Sequence, residues 1–387
     1  MSTPRRTLAE AADASDNGFN LVRLATALTV AYFHAYMTTG TIPALEPLGK
    51  LFSPAADTGR LALAVFFLIS GFFVTRSWIN DPHLGRFAAR RAARLLPALA
   101  VCVPLMTLCA VLFFSAPEAH GIFSRDTWQY ILANVGLHGL RFVIPDTEWH
   151  INGVLGGQAI NAPLWTLFWE GRMYVMVALL GMAAALPLRQ WFMGCAAFLL
   201  LATQLFPDVA SGYVWETQLW SMFLVGMLCC SLAAQLRVGP VQVACAVVFV
   251  AINWTRTASM GPTGFTWFGL ALVCTALALW AGSTRMQRWA YLRRHDYSYG
   301  IYLYHWPIMT MLKAAIPSMT AVPMIAAGIG LTIPMAMLSW HLVEAPAMRA
   351  MRRQLSGRRL HVVETAVTDD PAWQRSGPAP SSRQHQN

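Results

Sequence analysis

Arg23 and His34 lie eleven positions apart in the first long apolar stretch, where a charge or an imidazole is costly unless it works. At about 100° per residue, eleven steps return both to within about 20° of one helix face, roughly 16 Å apart along the axis. One face could therefore meet both ends of an extended ligand. A snorkelling Arg and a satisfied core His account for the same pair more plainly. Arg90, Arg91 and Arg94 open the third apolar run at spacings of three and four, from which guanidiniums could clamp phosphates; a cationic anchor at the membrane surface would read identically. Glu170, five residues after Trp165 and four before Tyr174, could orient and polarise an imidazole, or could simply satisfy a helix end through Arg172 or Tyr174. Ser298, Tyr302 and His305 fall at i, i+4 and i+7 ahead of Pro307. Such an aromatic stripe ordinarily packs a core, so His34 ranks ahead of His305 as the reacting group. His341 and Glu344, at i and i+3, read as a structural cap near the last helix end.

The elements that must hold these residues follow from composition. Of 387 residues 56% are hydrophobic and 12% charged, about half the roughly 25% charge of a soluble protein. A disordered chain and one dominated by nucleic-acid contacts are thereby excluded. Ten apolar runs of near-bilayer length stand at about 22–40, 61–79, 93–114, 166–187, 190–206, 216–236, 240–254, 263–282, 297–315 and 322–343. The expected fold class is all-α: a polytopic membrane protein of about ten transmembrane helices. Most of the Arg residues behind the net charge of +10, among them Arg86, Arg237, Arg285 and the Arg349 to Arg359 cluster, then fall on one side, which places both termini in the cytoplasm. Residues 1–20 form a polar cytoplasmic segment without the apolar core of a signal peptide. Residues 21–348 form the membrane domain, with a long outer loop at about 115–165, and residues 349–387 a polar, disordered cytoplasmic tail. The seven cysteines all sit in apolar runs, without metal-ligand spacing, and read as small buried hydrophobes.

In this order the segments resemble the acyltransferase 3 family of integral membrane acyltransferases. The likeness runs over residues 17 to 348: Arg23 with His34; Phe66, Phe67, Ser70, Gly71 and Phe72; Arg91 with Arg94; Trp165, Leu167, Glu170 and Tyr174; Ser298 through His305 to Pro307; and Val343, Glu344 and Pro346. Ala62, Leu63 and Ala64 depart from the Gly-Val and polar residue that many members carry there. The resemblance implies transfer of an acyl group, acetyl first, from cytoplasmic acyl-CoA to a hydroxyl of a cell-surface glycan such as O-antigen or exopolysaccharide, in the bacterial inner membrane. His34 would act as base or as nucleophile, with Glu170 orienting it or meeting the acceptor. Arg23, Arg90, Arg91 and Arg94 would hold CoA phosphates or pantetheine. Trp165, Tyr174, Ser298, Tyr302 and His305 would line the acceptor path. The expected partners are acyl-CoA, a glycan or lipid-linked sugar, and membrane lipids; no nucleic acid, metal or tightly bound cofactor is expected. Two other readings stay open at this point: the same chemistry on a secreted small molecule such as a macrolide sugar, and a proton-coupled transporter built on His34, Glu170 and His305.

Overall fold

A long apolar run in hydrocarbon can satisfy its backbone polar groups only within itself, as a helix. The computed structural model is accordingly helical and describes residues 6–40, 46–53, 56–117, 121–140, 149–183, 214–257 and 264–355. Among these residues the one β pairing is an isolated bridge between Ser115 and Val154. The helices are α1 (Leu8–Asp13), α2 (Phe19–Thr38), α3 (Thr58–Asn80), α4 (Leu84–Phe113), α5 (Arg125–Val135) and α6 (Leu164–Met182). They continue as α7 (Val214–Ser231), α8 (Pro240–Thr257), α9 (Gly264–Ser283), α10 (Ala290–Arg294), α11 (Ser298–Ala315) and α12 (Ala321–Ser339). Nine of the ten expected spans coincide with long helices; the run at 190–206 lies outside the described residues. Thr58–Asn80, Leu84–Phe113 and the continuous Ala321–Leu355 are long and apolar enough to cross a membrane, and Gly269–Ser283 with Gln287–Arg294 forms a pair bent by 81°.

Helix starts follow local chemistry. Asp57 accepts from the Arg60 amide at 2.7 Å to begin α3, and Ser124 accepts from the Thr127 amide at 3.2 Å to begin α5. Helix α4 begins at Leu84, well before the expected 93, and Arg86 and Arg90 of its first turns are neutralised by Asp81. Asp81 accepts from Arg86 at 2.6 Å and from Arg90 at 2.5 Å, which holds its carboxyl well below the usual carboxylate range.

The N-terminal segment is tied down. Leu8 and Ala11 are fully buried, the Leu8 amide donates to the Leu236 carbonyl at 2.9 Å, and Arg6 pairs with Asp16 at 2.6 Å. Six residues of helix therefore clamp the ends of α7 and α9. Of the cysteines, Cys102 and Cys230 are buried, whereas Cys245 is exposed, since α8 turns Val241, Val247, Val248 and Ile252 outward as well; Cys195 lies outside the described residues.

Two glycines bring α3 and α7 into backbone contact. A Cβ on Gly71 would stand 2.1 Å from the Phe223 carbonyl oxygen, and one on Gly226 2.1 Å from that of Leu68. Small residues at such crossings permit the close packing that membrane helices need in place of a hydrophobic driving force. After α12 the chain makes a π-helical turn over Trp340–Glu344 and then resumes α-helix as far as Leu355.

Pro307 shapes the loop above α11. Its missing N–H leaves the Leu303 carbonyl without its helical donor, and Asn161 supplies a replacement at 2.9 Å, with the Cys102 thiol at 3.4 Å. Trp306 Nε1 donates to the Ala159 carbonyl at 3.0 Å. The Gly-rich end of the long loop is thus fastened to the helix that carries His305.

Candidate active site

Helices α2 and α11 run parallel and exchange polar contacts at both ends. At one end Arg23 pairs with Asp296 at 3.0 Å; at the other His34 Nδ1 lies 2.7 Å from His305 Nε2, with the two ring planes parallel within 1°. Each end opens into its own cavity.

The cavity at the Arg23 end measures about 660 Å³ and is lined by Arg23, Arg90, Arg91, Arg94, Arg294, Arg349 and Arg352 together with Asp296, His295, Trp340 and His341. The four sequence-predicted guanidiniums are all here, but they are not equivalent. Arg90 is held by Asp81 and by the Ser77 carbonyl at 3.3 Å. Arg94 pairs with Asp296 at 2.6 Å and approaches Glu344 at 3.5 Å. Arg91 has no carboxylate partner among the described residues. Its one hydrogen bond is to the Ser77 hydroxyl at 3.4 Å, its Nε is buried without a partner, and it stands over the Tyr174 ring at 5.7 Å. Burial alone would push the Asp296 carboxyl up, but Arg23, Arg94 and contacts from Ser298 outweigh it and hold the group at about 2. Asp296 is therefore an internal counter-ion in a basin lined by seven guanidiniums.

The cavity at the His34 end measures about 380 Å³ and is lined by His34, Phe33, Met37, Trp165, Trp306 and Glu216 among others. The fully buried His305 approaches the Ile301 carbonyl with Nδ1 at 2.9 Å. A carbonyl only accepts, so that nitrogen donates. With both imidazoles neutral, His305 Nε2 then accepts from His34 Nδ1–H, which leaves the lone pair of His34 on Nε2. Trp306 packs edge-on against His34 at a centroid distance of 4.9 Å. The order is carbonyl, His305, His34, cavity.

Between the ends the contacts are continuous. Arg23 stands over the Phe66 ring at 5.6 Å, Phe66 lies 6.0 Å from Tyr302, and Tyr302 lies 6.0 Å from His305. Glu170 accepts from Ser70 and from Tyr174, both at 2.7 Å. His34, the imidazole expected to meet Glu170, meets His305 instead, and Glu170 keeps one of its two expected structural contacts, Tyr174. Tyr302 donates to the Pro163 carbonyl at 2.5 Å and contacts Thr166; Ser298 contacts Asp296 at the Arg end. His341 and Glu344 do not pair, because the π-helical turn separates them: His341 meets Tyr297 at 3.0 Å, and Glu344 accepts from Ser339 at 3.0 Å.

A family model described as an acyltransferase domain matches residues 16–341. Nodulation protein 10 of Rhizobium leguminosarum bv. viciae is 29% identical over 371 residues, covering 89% of this chain and 96% of that protein. An O-acetyl transferase of Shigella phage Sf6 is 31% identical over 166 residues, 41% of this chain and 44% of its own. A protein named membrane-bound transacylase BcsY, from Komagataeibacter xylinus, is 27% identical over 314 residues, 74% of this chain and 75% of its own. No solved structure matches.

Proposed function

This chain belongs to the acyltransferase 3 family and is a membrane acyltransferase, and from that premise we propose that it moves an acetyl group from acyl-CoA to a hydroxyl of a cell-surface glycan. Family membership sets aside the transport reading of its buried His and Glu. The observation that carries the proposal is the pairing of two cavities along one pair of parallel helices, an Arg basin at one end and a histidine relay at the other.

In this reading CoA phosphates enter the Arg basin and bind Arg91 first, since of the four guanidiniums expected to hold CoA it is the one without a carboxylate partner among the described residues. Arg23 and Arg94 exchange Asp296 for phosphate. The pantetheine arm lies along the seam past Phe66 and Tyr302 and presents the thioester to His34. His34 Nε2 takes the proton of the acceptor hydroxyl as the oxygen attacks the thioester carbonyl. The C–S bond breaks, and the proton passes to the departing CoA thiolate, regenerating neutral His34. His305 accepts from Nδ1–H throughout and stabilises the imidazolium that forms, the part a carboxylate plays in a Ser-His-Asp triad. Glu170, fixed by Ser70 and Tyr174, faces the seam as a buried negative group between the two sites. No tightly bound cofactor is required.

The accompanying topology is ten crossings with both termini in the cytoplasm of a bacterial inner membrane. The Arg basin then faces cytoplasmic acyl-CoA and the His34 cavity faces the exported acceptor. The parallel run of α2 and α11 supports this, since the first and ninth crossings of such a chain share a direction.

The test is transfer of label from radiolabelled acetyl-CoA into envelope glycan, in membranes holding the wild type or His34→Ala at matched expression. Label that appears with the wild type and is lost with the variant is the expected result. Equal labelling from both overturns the role given to His34.

A further inference from the structure

The two cavities differ in charge as sharply as in position. Seven guanidiniums line the one at the Arg23 end. No Lys or Arg lines the one at the His34 end, where the charged side chain is Glu216, with the indoles of Trp165 and Trp306 alongside. Arg60, on the neighbouring turn of α3, pairs with Asp57 at 3.4 Å and lines a separate small cavity. Glu216 makes no ion pair among the described residues, so its charge is not spent on the protein. Nor is Trp306 there by default, since its N–H is anchored to the loop carbonyl of Ala159 and its ring is held against His34.

Indole walls beside a carboxylate, in about 380 Å³, suit a ligand with apolar C–H faces and a rim of hydroxyls. That is the chemistry of a pyranose ring. A carboxylate or a phosphate on the ring would meet Glu216 with no cation among the described lining residues to offset it, and like charges brought together in a partly dehydrated site repel strongly. We infer that the His34 cavity holds the acceptor sugar itself and that Glu216 selects for rings carrying no negative charge, so that the enzyme acetylates neutral or amino sugars and discriminates against uronic acids and phosphosugars at the reacting residue. This rests on the acyl-transfer reading above and adds the acceptor's charge class to it.

The experiment uses the full chain in lipid nanodiscs with radiolabelled acetyl-CoA. The acceptors are methyl glycosides of the gluco, galacto and rhamno series, with the methyl glucuronate and methyl galacturonate set against their uncharged amides. Acid and amide differ in charge but hardly in shape, so their ratio reports Glu216 whichever hydroxyl reacts. The expected result is kcat/KM at least about tenfold higher for amide than for acid, with Glu216→Gln narrowing that ratio while the KM for acetyl-CoA stays put. Octyl glycosides in place of methyl glycosides distinguish a membrane-borne acceptor from a soluble one. Acid accepted as well as amide by the wild type overturns the inference even if the variant fails to fold, as does a Glu216→Gln enzyme with an unchanged ratio. CoA release that depends on His34 but labels no sugar also overturns it while leaving acyl transfer standing. No CoA release dependent on His34 sinks the acyl-transfer reading itself.

Discussion

Replacement of His305 isolates the histidine relay from everything else in the site. In the folded protein His34 Nδ1–H has one acceptor, His305 Nε2 at 2.7 Å, and that acceptor is fixed by the Ile301 carbonyl. His305→Leu keeps the volume and removes the acceptor. A hydrogen bond between neutral groups contributes about 0.5–1.5 kcal/mol net, and one to a charged group about 1.5–3 kcal/mol. The bond strengthens when His34 becomes an imidazolium, so its loss falls on the transition state more than on the ground state. The variant should therefore lose about 1–1.5 kcal/mol more from the transition state than from the ground state, a fall in kcat of roughly 5- to 13-fold. The KM for acyl-CoA should hold, because the Arg basin is at the far end of α2. His305→Gln should recover most of the rate, since the side-chain amide can present a carbonyl oxygen at about the reach of Nε2. The assay is steady-state transfer in nanodiscs with thermal melts alongside. A His305→Leu enzyme with wild-type kcat, or a folded His305→Gln enzyme as slow as His305→Leu, would refute the relay.

Arg91→Gln should raise the KM for acyl-CoA by about 10- to 100-fold, as the loss of a charge-assisted contact implies, while Arg90→Gln changes it less than about threefold because Asp81 already occupies that guanidinium; CoA titrations at fixed ionic strength compare them. Asp296→Asn should tighten CoA binding and lower the melting temperature, since breaking a buried pair leaves Arg23 and Arg94 without their counter-charge. The Asp296 contribution also has a pH signature. A folded carboxyl held at about 2, below the ~3.9 of an unpaired Asp, stabilises fully at neutral pH, begins to lose its effect near pH 4 and has lost it near pH 2, so melts of wild type and Asp296→Asn should converge on acidification. Gly71→Leu should abolish the folded yield, because even its Cβ would overlap the Phe223 carbonyl; a normal detergent-extracted peak on size exclusion would contradict the close crossing.

Much of this arrangement is legible in the amino-acid sequence. Helical periodicity puts Arg23 and His34 on one face, and the structure places them at opposite ends of one pair of helices. The spacing of Arg90, Arg91 and Arg94 locates the basin. What spacing cannot give is the partner across a helix interface. Nothing local distinguishes His305 from a packed aromatic stripe, and its role depends on which residue of α2 lies opposite. Glu170 and His34 looked like natural partners by chemistry alone, yet Ser70 and Tyr174 are nearer to the carboxylate. Asp296 carried a signal that was available: a lone acid two residues before the Ser298 run, in a segment otherwise crowded with Arg293, Arg294 and His295. Glu216, Arg349 and Arg352 had no such mark, since an acid near a helix start and arginines after a last helix are commonplace.

The π-helical turn at Trp340–Glu344 makes the Arg basin a matter of register as well as composition. A turn of this kind holds one residue more than the α-helical turn it replaces. Everything after it is therefore rotated by about 100° about the helix axis relative to an uninterrupted helix. Arg349 and Arg352 lie beyond it and reach the basin with that rotation in place. Leu342, inside the turn, is 71% exposed, so removing it deletes almost no packing. A three-nucleotide deletion at that codon would let the helix close as ordinary α-helix, leave every arginine in the chain, and swing two of them off the basin. A relative with the same arginines but one residue fewer at this turn would present a different face to its donor.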